Sequence, residues 1–290
     1  MSMTEQQVAV VSGASAGIGK ATARMLVAQG WHVIGTGRDP ERTAAAQDEI
    51  KAAAAQGGRI DFARGDFCEM KEVKRVADEI AGLTDRIDVL INNAGGVRDR
   101  LHVSSEGVEA MLAANHLAPF LLTRELMPLL EATVAVTSSG TVRVIAVSSL
   151  AHHLCKGLQW GDLNLFDDFT TNAAYCQVKL ANLLFTRELA RRVADKGIVA
   201  QAMHPGRVES NFASHGDQGI QDYFAVNESD PPERPAQTLV WLATATEGGE
   251  RPGRYFFDKA EAQAGPQALD DKAAARLWVE SERMLEKIGV

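Results

Sequence analysis

A tyrosine and a lysine four positions apart, Tyr175 and Lys179, suggest acid–base chemistry in this chain of 290 residues. Residues at this spacing on a helix lie on one face. A phenol with an ordinary pKa of ~10 is a poor base at neutral pH, but a neighbouring ammonium group stabilises the phenolate and lowers that pKa. Proton transfer near neutral pH then becomes feasible. The same pattern is common in surface pairs of no function, so the rest of the chain must decide between the two interpretations.

Three further residues could assist such a reaction. Ser148 and Ser149 end a predicted strand, at the sheet edge where open α/β proteins place catalytic groups, and a hydroxyl there could donate to a substrate oxygen. Asn115 lies within an otherwise apolar helical segment, which is unfavourable unless its amide has a specific partner. For Asn115 two interpretations stay open, a functional amide or one that satisfies a local backbone kink.

The segment Ser12–Gly19 predicts a binding site for the pyrophosphate of a dinucleotide. It joins a predicted strand to a helical pattern, and the amides and dipole of a helix N-terminus favour an anion. Gly13 permits a tight turn, Gly17 lets the backbone approach phosphate, and Gly19 lets the helix pack closely on the strand. The predicted loop is completed by Ser15, Ala16 and Ile18. The plainer interpretation, glycines that only shape a turn, is disfavoured by this context.

The end of the second predicted strand bears on the choice of cofactor. Gly37 stands where an acidic residue would bind the ribose 2′-hydroxyl of NAD, and Arg38 follows with a guanidinium suited to a 2′-phosphate. NADP(H) is therefore favoured, while NAD(H) stays open. Asp39 could reach the ribose itself or cap the helix that begins at Pro40.

Two more strand ends could contact the cofactor. Asp66 and Phe67 could meet the adenine through a carboxylate and a backbone amide, although a solvated turn explains them as well. Asn93, Ala94 and Gly95 follow the fourth strand, where small residues leave room for a ligand and asparagine can tie adjoining strands together. Clusters of this kind also mark ordinary turns.

The elements that must position these residues alternate between short β-branched runs and longer helical patterns. Seven strands are predicted, over Val8–Ser12, Trp31–Thr36, Arg59–Ala63, Ile87–Ile91, Val142–Val147, Ile198–Met203 and Arg254–Phe257. Continuous apolar runs are typical of strands covered by helices on both faces. The sequence therefore predicts an α/β fold: a doubly wound (Rossmann) seven-stranded parallel sheet flanked by helices, in a single domain over residues 1–290. Two long loops, 151–172 and 211–235, interrupt the alternation and are predicted to be functional.

Composition narrows the classes of function. Apolar residues make up 46% and charged residues 23% of the chain, as in ordinary globular proteins. The net charge of -8 argues against a nucleic-acid partner. Three cysteines, no signal-like N-terminus and no long apolar run predict a cytoplasmic protein without disulfides or an integral membrane segment. No metal site is predicted, because His152 and His153 have no third ligand at suitable spacing.

Taken together, the motifs resemble those of the short-chain dehydrogenase/reductases, in the family's order and over nearly the whole chain. The residues that carry the resemblance are Gly13, Gly17, Gly19, Asn92–Gly95, Asn115, Ser149, Tyr175, Lys179 and Pro205-Gly206. Two long runs, Val147–His153 and Ala174–Leu189, are similar to the retinol dehydrogenase and WW-domain oxidoreductase branch.

The resemblance implies an oxidoreductase that interconverts an alcohol and a carbonyl compound. Tyr175 would be its general acid and base, and Lys179 would lower the pKa of Tyr175 and hold the nicotinamide ribose. Ser149 would bind the substrate oxygen; it is preferred to Ser148 because it precedes Tyr175 by 26 positions. Asn115 would position a water molecule. The backbone of Pro205 and Gly206 would contact the nicotinamide carboxamide.

The substrate is less well defined. A small lipophilic carbonyl or alcohol is predicted, covered by the 211–235 loop, with the 151–172 loop as a second wall. A protein that binds NADP(H) as a sensor without turnover is the alternative. Apolar residues on several faces of the predicted helix Ala174–Val193 could also serve a homodimer.

Overall fold

The computed structural model describes residues 6–290, so most of the Met1–Gln7 segment, in which no secretion signal is predicted, lies outside the described residues. A single sheet runs through the molecule. Its strands are β1 Val8–Val11, β2 His32–Gly37, β3 Arg59–Arg64, β4 Val89–Asn92, β5 Val142–Val147, β6 Ile198–Met203, β7 Tyr255–Phe257 and β8 Ala260–Glu261. They lie in the order β3-β2-β1-β4-β5-β6-β7-β8. The first seven pair in parallel, as predicted, and the predicted α/β fold is confirmed.

The sheet has eight strands rather than seven, which corrects the predicted count. The additional strand, β8, pairs antiparallel with β7. A two-residue turn joins them, in which Asp258 and Lys259 both have positive φ angles, of 48° and 63°. Two-residue hairpins of this handedness match the twist of the flanking strands. β8 contains only two residues, and both are exposed, so it has no apolar pattern from which it could be predicted.

The strand order reverses at β1. β2 and β3 lie on one side of it, and β4 to β8 lie on the other. Loops that leave the carboxyl ends of β1 and β4 therefore diverge and open a crevice between them, where α/β proteins of this topology bind ligands.

Helices cover both faces of the sheet. They are α1 Gly17–Ala28, α2 Pro40–Ala52, α3 Met70–Leu83, α4 Ala110–Leu112, α5 Ala118–Val134, α6 Thr171–Arg192, α7 Gln218–Val226, α8 Glu233–Thr244 and α9 Asp271–Ile288. Within residues 6–290, no helix has both the length and the apolar character needed to cross a membrane.

The alternation of side chains along β1 separates the two core layers. Val8 and Val10 pack with α3, α5 and α6, whereas Ala9 and Val11 pack with α1, α2 and α8. All four side chains are buried, which explains why the strand is apolar throughout rather than alternating.

The two long segments contain more regular structure than predicted. A 3₁₀ turn, Leu150–Leu154, begins the first, and α6 starts at Thr171 because the hydroxyl of Thr170 caps it by accepting from Ala173 N at 3.1 Å. The second contains α7 and the start of α8.

A π-helical turn, Ala113–Leu117, separates α4 from α5. Within it, the buried ring of His116 bonds through Nε2 to Ser281 Oγ of α9, at 2.7 Å. This contact ties the C-terminal helix to the middle of the chain.

The buried state of His116 predicts a specific pH dependence of stability. Burial lowers the pKa of His116 from 6.5 to about 4. Between these values the unfolded chain binds a proton that the folded protein excludes, so stability is lost as the pH falls. From pH 7 to pH 5, we expect His116→Gln to lose about 2 kcal/mol less unfolding free energy than the parent protein. Urea denaturation at both values measures this difference.

His153→Gln, at an exposed position, is the matched control and should keep the parent's pH dependence. Identical pH dependence in the parent and in His116→Gln would contradict the prediction.

Candidate active site

A cavity of about 780 Å³ opens at the carboxyl ends of β1, β2 and β4. It brings together most of the predicted site residues. Those that line it are Gly13, Ser15, Ala16, Gly17, Ile18, Arg38, Asp66, Phe67, Asn93, Ala94, Gly95, Tyr175, Lys179 and Pro205. Four others, Gly19, Asn115, Ser149 and Gly206, are not part of the lining.

The glycine loop has the backbone geometry expected of a phosphate-binding turn. Gly13 and Gly17 have φ angles of +69° and +52°, a region that favours glycine. Gly19 fits only without a side chain, because a Cβ there would overlap the carbonyl oxygen of Gly13. No side chain caps the N-terminus of α1 at Ala16, so the first amides of this helix remain available to an anion.

Hydrogen bonds tie together the strand ends that carry the loop. The hydroxyl of Ser12 accepts from the backbone amides of Asn93 and Ala94, both at 2.9 Å. In return, Asn93 Nδ2 donates to Ser12 O at 2.8 Å, while Thr36 Oγ1 accepts from Gly13 N at 3.1 Å. The shape of this end of the cavity is therefore set by the protein's own contacts.

The end of the cavity beside β2, where the ribose is predicted to bind, is basic. A side chain at Gly37 would overlap Thr43 Oγ1, so an acidic residue could not occupy this position without rearrangement. Arg38 is exposed and lies 3.3 Å from Asp66, and Asp66 also accepts from Cys68 N at 3.0 Å within its turn.

Asp39 caps α2 by accepting from Arg42 N at 2.8 Å, as one of its two interpretations predicts, and it also lines the cavity. Three further basic residues line this end and were missed from the sequence: Lys20, Arg24 and Arg42. Lys20 and Arg24 stand on the first two turns of α1, and Arg42 stands on the first turn of α2, where such charges look like an ordinary solvated helix face.

The catalytic candidates meet at the far end of the cavity. Tyr175 and Lys179 share one face of α6, with Lys179 Nζ 5.5 Å from the centre of the Tyr175 ring. Lys179 is buried and donates to Val147 O at 3.2 Å. Ser149 lies beside Tyr175, and its hydroxyl accepts from Ala151 N at 3.2 Å, whereas the buried Ser148 donates to Lys179 O at 2.8 Å and is committed to the junction of β5 and α6.

Burial dominates the titration of both groups on α6. It raises the pKa of Tyr175 to about 12, and the neighbouring Ser149 hydroxyl partly offsets this rise. It lowers the pKa of Lys179 to about 8. The prediction that Lys179 lowers the pKa of Tyr175 below its ordinary value is therefore wrong for the protein alone, because burial raises this pKa. With a pKa of about 12, Tyr175 is a neutral phenol at neutral pH.

Asn115 lies in the π-helical turn, and its amide has specific partners. Nδ2 donates to Met111 O at 2.9 Å and to Gly96 O at 3.0 Å, and Oδ1 accepts from Gly96 N at 3.1 Å. These contacts fit the interpretation in which Asn115 satisfies the backbone of a helix kink. They also join the π-helical turn to the loop after β4.

The 211–235 segment supplies one wall of the cavity. The ring of Phe212 packs on that of Tyr175 with centres 5.1 Å apart, and Phe224 packs on Phe212 at 5.6 Å. Asn211 and His215 also line the cavity. Phe212 was missed because an isolated aromatic residue in a polar stretch has no periodicity.

Residues 151–172 do not line this cavity. They pack against another face of α6, where Gln177 donates to Leu163 O at 2.9 Å and accepts from Gln159 N at 2.8 Å. His152 has a structural environment, with Nδ1 donating to Ser149 O at 2.6 Å and Nε2 accepting from Gly265 N at 2.9 Å.

The loop after β6 reaches the cavity through Pro205. Gly206 has a positive φ of 74°, and its amide donates to His204 Nδ1 at 3.3 Å. The ring of His204 in turn stacks on Phe257 at 4.3 Å. These contacts hold the loop beside the ends of β6 and β7.

Comparisons with known proteins agree with this geometry. The family model for short chain dehydrogenases matches residues 7–219. Human retinol dehydrogenase 13 is 35% identical over 95% of this chain and 83% of its own length. Human retinol dehydrogenase 12 is 34% identical over 94% of this chain and 84% of its own length.

Solved structures extend the comparison. An uncharacterized protein from Mycobacterium paratuberculosis superposes with a TM-score of 0.74 at 29% identity, over 97% of this chain and 94% of the other. A protein from Beutenbergia cavernae, described as an NAD(P)-dependent gluconate 5-dehydrogenase with bound NADP, gives a TM-score of 0.66 at 26% identity. That match covers 86% of this chain and 94% of the other.

The tight packing at Gly37 predicts that even a methyl group there is harmful. Overlap with Thr43 Oγ1 should make Gly37→Ala lose about 1–3 kcal/mol of unfolding free energy. Gly82→Ala is the control, because a methyl on this α3 residue meets no atom within 4 Å. It should be neutral or stabilising by up to about 1 kcal/mol. Equal urea midpoints for the two variants would show that Gly37 has no packing constraint.

Proposed function

Because the chain belongs to the short-chain dehydrogenase family, we propose that it interconverts an alcohol and a ketone or aldehyde with NADP(H), using Tyr175 as general acid and base. Its membership makes it an oxidoreductase of CH–OH groups that uses a nicotinamide cofactor. The observation that carries the finer proposal is that Tyr175 lines the cavity beside Ser149, with the buried Lys179 one helical turn away and its Nζ 5.5 Å from the Tyr175 ring centre.

The residues of the cavity fit a dinucleotide. The uncapped N-terminus of α1 offers backbone amides to a pyrophosphate, and the glycines leave room for its approach. Asn93, Ala94 and Gly95 line the middle of the cavity, and Asp66 and Phe67 line the expected adenine end.

The basic ribose end supports NADP(H) rather than NAD(H). A 2′-phosphate would be held by Arg38, assisted by Arg42, whose side chain has no carboxylate within ion-pair distance among residues 6–290. Planar guanidinium groups bind phosphate oxygens in pairs, which a ribose hydroxyl cannot match.

In the proposed mechanism, each residue at the reacting end has a separate task. Ser149 binds the substrate oxygen, and Tyr175 donates its phenolic proton to that oxygen during reduction. When bound, the cofactor supplies or accepts the hydride. Lys179, protonated below a pKa of about 8, provides the positive charge that stabilises the resulting phenolate. Asn115 holds the adjoining loop in place and could bind a water molecule that returns the proton.

A neutral Tyr175 favours reduction of the carbonyl compound at neutral pH. A phenol with a pKa of about 12 is ready to donate a proton but rarely accepts one. Oxidation of the alcohol requires the phenolate, so it should be faster at alkaline pH.

The substrate proposed for this site is lipophilic near its reacting carbon. The support comes from Phe212, which packs on the Tyr175 ring, and from Phe224 behind it. The retinol dehydrogenases to which the chain is similar are named for a substrate of this class.

Removing the phenolic hydroxyl tests the role of Tyr175. We expect Tyr175→Phe to lose about 10²- to 10⁴-fold in kcat for a panel of aldehydes and ketones, because it cannot donate the proton. NADPH affinity, measured by calorimetry, should stay within a factor of about two, since the ring is retained. Tyr223→Phe, on the exposed face of α7, is the control for loss of a tyrosine hydroxyl. A parent protein that binds NADPH but turns over no carbonyl would favour the sensor instead.

The choice of cofactor depends on Arg38. We expect Arg38→Gln to weaken NADPH binding by about tenfold or more and to leave NADH binding unchanged, since only NADPH carries the 2′-phosphate. Arg283→Gln, an exposed arginine paired with Glu280 on α9, is the matched control. Calorimetric titration with both cofactors measures the ratio. Equal losses for NADPH and NADH would exclude recognition of the 2′-phosphate by Arg38.

A further inference from the structure

A second cavity, of about 600 Å³, adjoins the candidate active site. It lies between the loop after β4 and the segment that includes the start of α7. Its lining is polar throughout and consists of Arg98, Asp99, His102, Ser214, His215, Gly216, Asp217, Gln218 and Gln221. We call this space the polar chamber. Arg98 and His215 line both cavities, so the two adjoin at these residues.

The polar chamber lies close to the reacting end of the active site. Thr171, the first residue of α6, donates through Oγ1 to Asp99 O at 3.2 Å. Thr171 precedes Tyr175 by about one helical turn, or roughly 6 Å along the axis. A substrate that contacts Tyr175 could therefore extend into the chamber.

Arg98 is the arginine of the chamber, and its hydrogen bonds are to uncharged partners. Its guanidinium donates to Val97 O at 3.0 Å and lies 3.8 Å from Cys68 Sγ. Both partners are neutral, and no carboxylate of residues 6–290 lies within ion-pair distance of it. A half-buried arginine with neutral partners retains a strong preference for an anion.

The carboxylates of the chamber have other partners. Asp99 lies 3.2 Å from His102 Nε2 and 3.4 Å from Arg100. Asp217 caps α7 by accepting from Ile220 N at 3.0 Å. Neither is paired with Arg98, so an incoming anion has to displace no ion pair.

We propose that the polar chamber binds a carboxylate at the distal end of the substrate, held by Arg98, while the substrate carbonyl lies at Tyr175. This inference rests on the proposed function and narrows its substrate class to amphipathic oxo acids. The apolar part of such a molecule contacts Phe212, and its reduction yields the hydroxy acid. The chamber contributes no atom to the reaction and acts through binding.

The test compares matched neutral and anionic probes. ω-Oxo carboxylates of six to twelve carbons and their methyl esters are reduced with NADPH by the parent protein, Arg98→Gln and Arg100→Gln. We expect kcat/KM to favour the acid over the ester by about ten- to a hundredfold at the best chain length, the range of a charge-assisted hydrogen bond. Arg98→Gln should abolish this preference. Arg100→Gln, at the exposed neighbouring position, should keep it.

Two outcomes would overturn the inference and leave the proposed function intact. One is equal kcat/KM for acids and esters in the parent protein. The other is a loss of NADPH affinity in Arg98→Gln with an unchanged ratio of acid to ester, which would assign Arg98 to the cofactor. Thermal melting of each variant establishes that it is folded.

A binding measurement separates failure of the inference from failure of the proposed function. Calorimetry with 10-hydroxydecanoate and decane-1,10-diol, in the presence of NADP, needs no turnover. If no probe is reduced but the acid binds more tightly than the diol and depends on Arg98, the anion site stands and the proposed activity fails. If acid and diol bind equally in the parent and in Arg98→Gln, the anion site is overturned.

Discussion

The hydroxyl of Ser12, which accepts two backbone amides from the end of β4, is the contact on which the cofactor end of this molecule depends. It joins two parallel strands at the point where their loops diverge. Asn93 returns a hydrogen bond to the same backbone, so neither strand end can shift alone. A crevice whose walls are fixed in this way pays little conformational entropy when a ligand binds. The glycines then need only provide space.

A similar arrangement holds the reacting end. Lys179 and Asn182 both donate to the carbonyl of Val147, at 3.2 Å each, and Ser148 donates back to Lys179 O. These bonds fasten α6 to the end of β5 and fix the height of Tyr175 above the sheet. Lys179 therefore positions the helix as well as carrying charge. Its depressed pKa follows from that burial.

Much of the fold could be predicted from the sequence because the local signals and the tertiary structure agree. The strand Val142–Val147 is apolar at nearly every position, and helices bury both of its faces. β8 could not be predicted, since two exposed residues have no pattern. The start of α6 was placed late because Thr170, a capping hydroxyl, lies in a stretch that looks like loop.

For the candidate site, the sequence predicted which residues line the cavity better than it predicted their pKa values. The glycine loop, Arg38 and Tyr175 line one cavity as expected. The pKa of Tyr175 was expected to fall and instead rises, because sequence spacing gives the partner but not the burial of the pair. Phe212 and Arg98 approach the site from segments whose paths depend on long-range packing, which local sequence does not encode.

The bond between His116 and Ser281 has one more consequence. His116 is the immediate neighbour of Asn115, and Asn115 is bonded to both the amide and the carbonyl of Gly96. The C-terminal helix α9 therefore supports the loop that forms one wall of the cavity, although no residue of α9 lines the cavity. Residues far along the chain from the cofactor loops can thus affect how firmly the ligand is held, through a relay of three side chains.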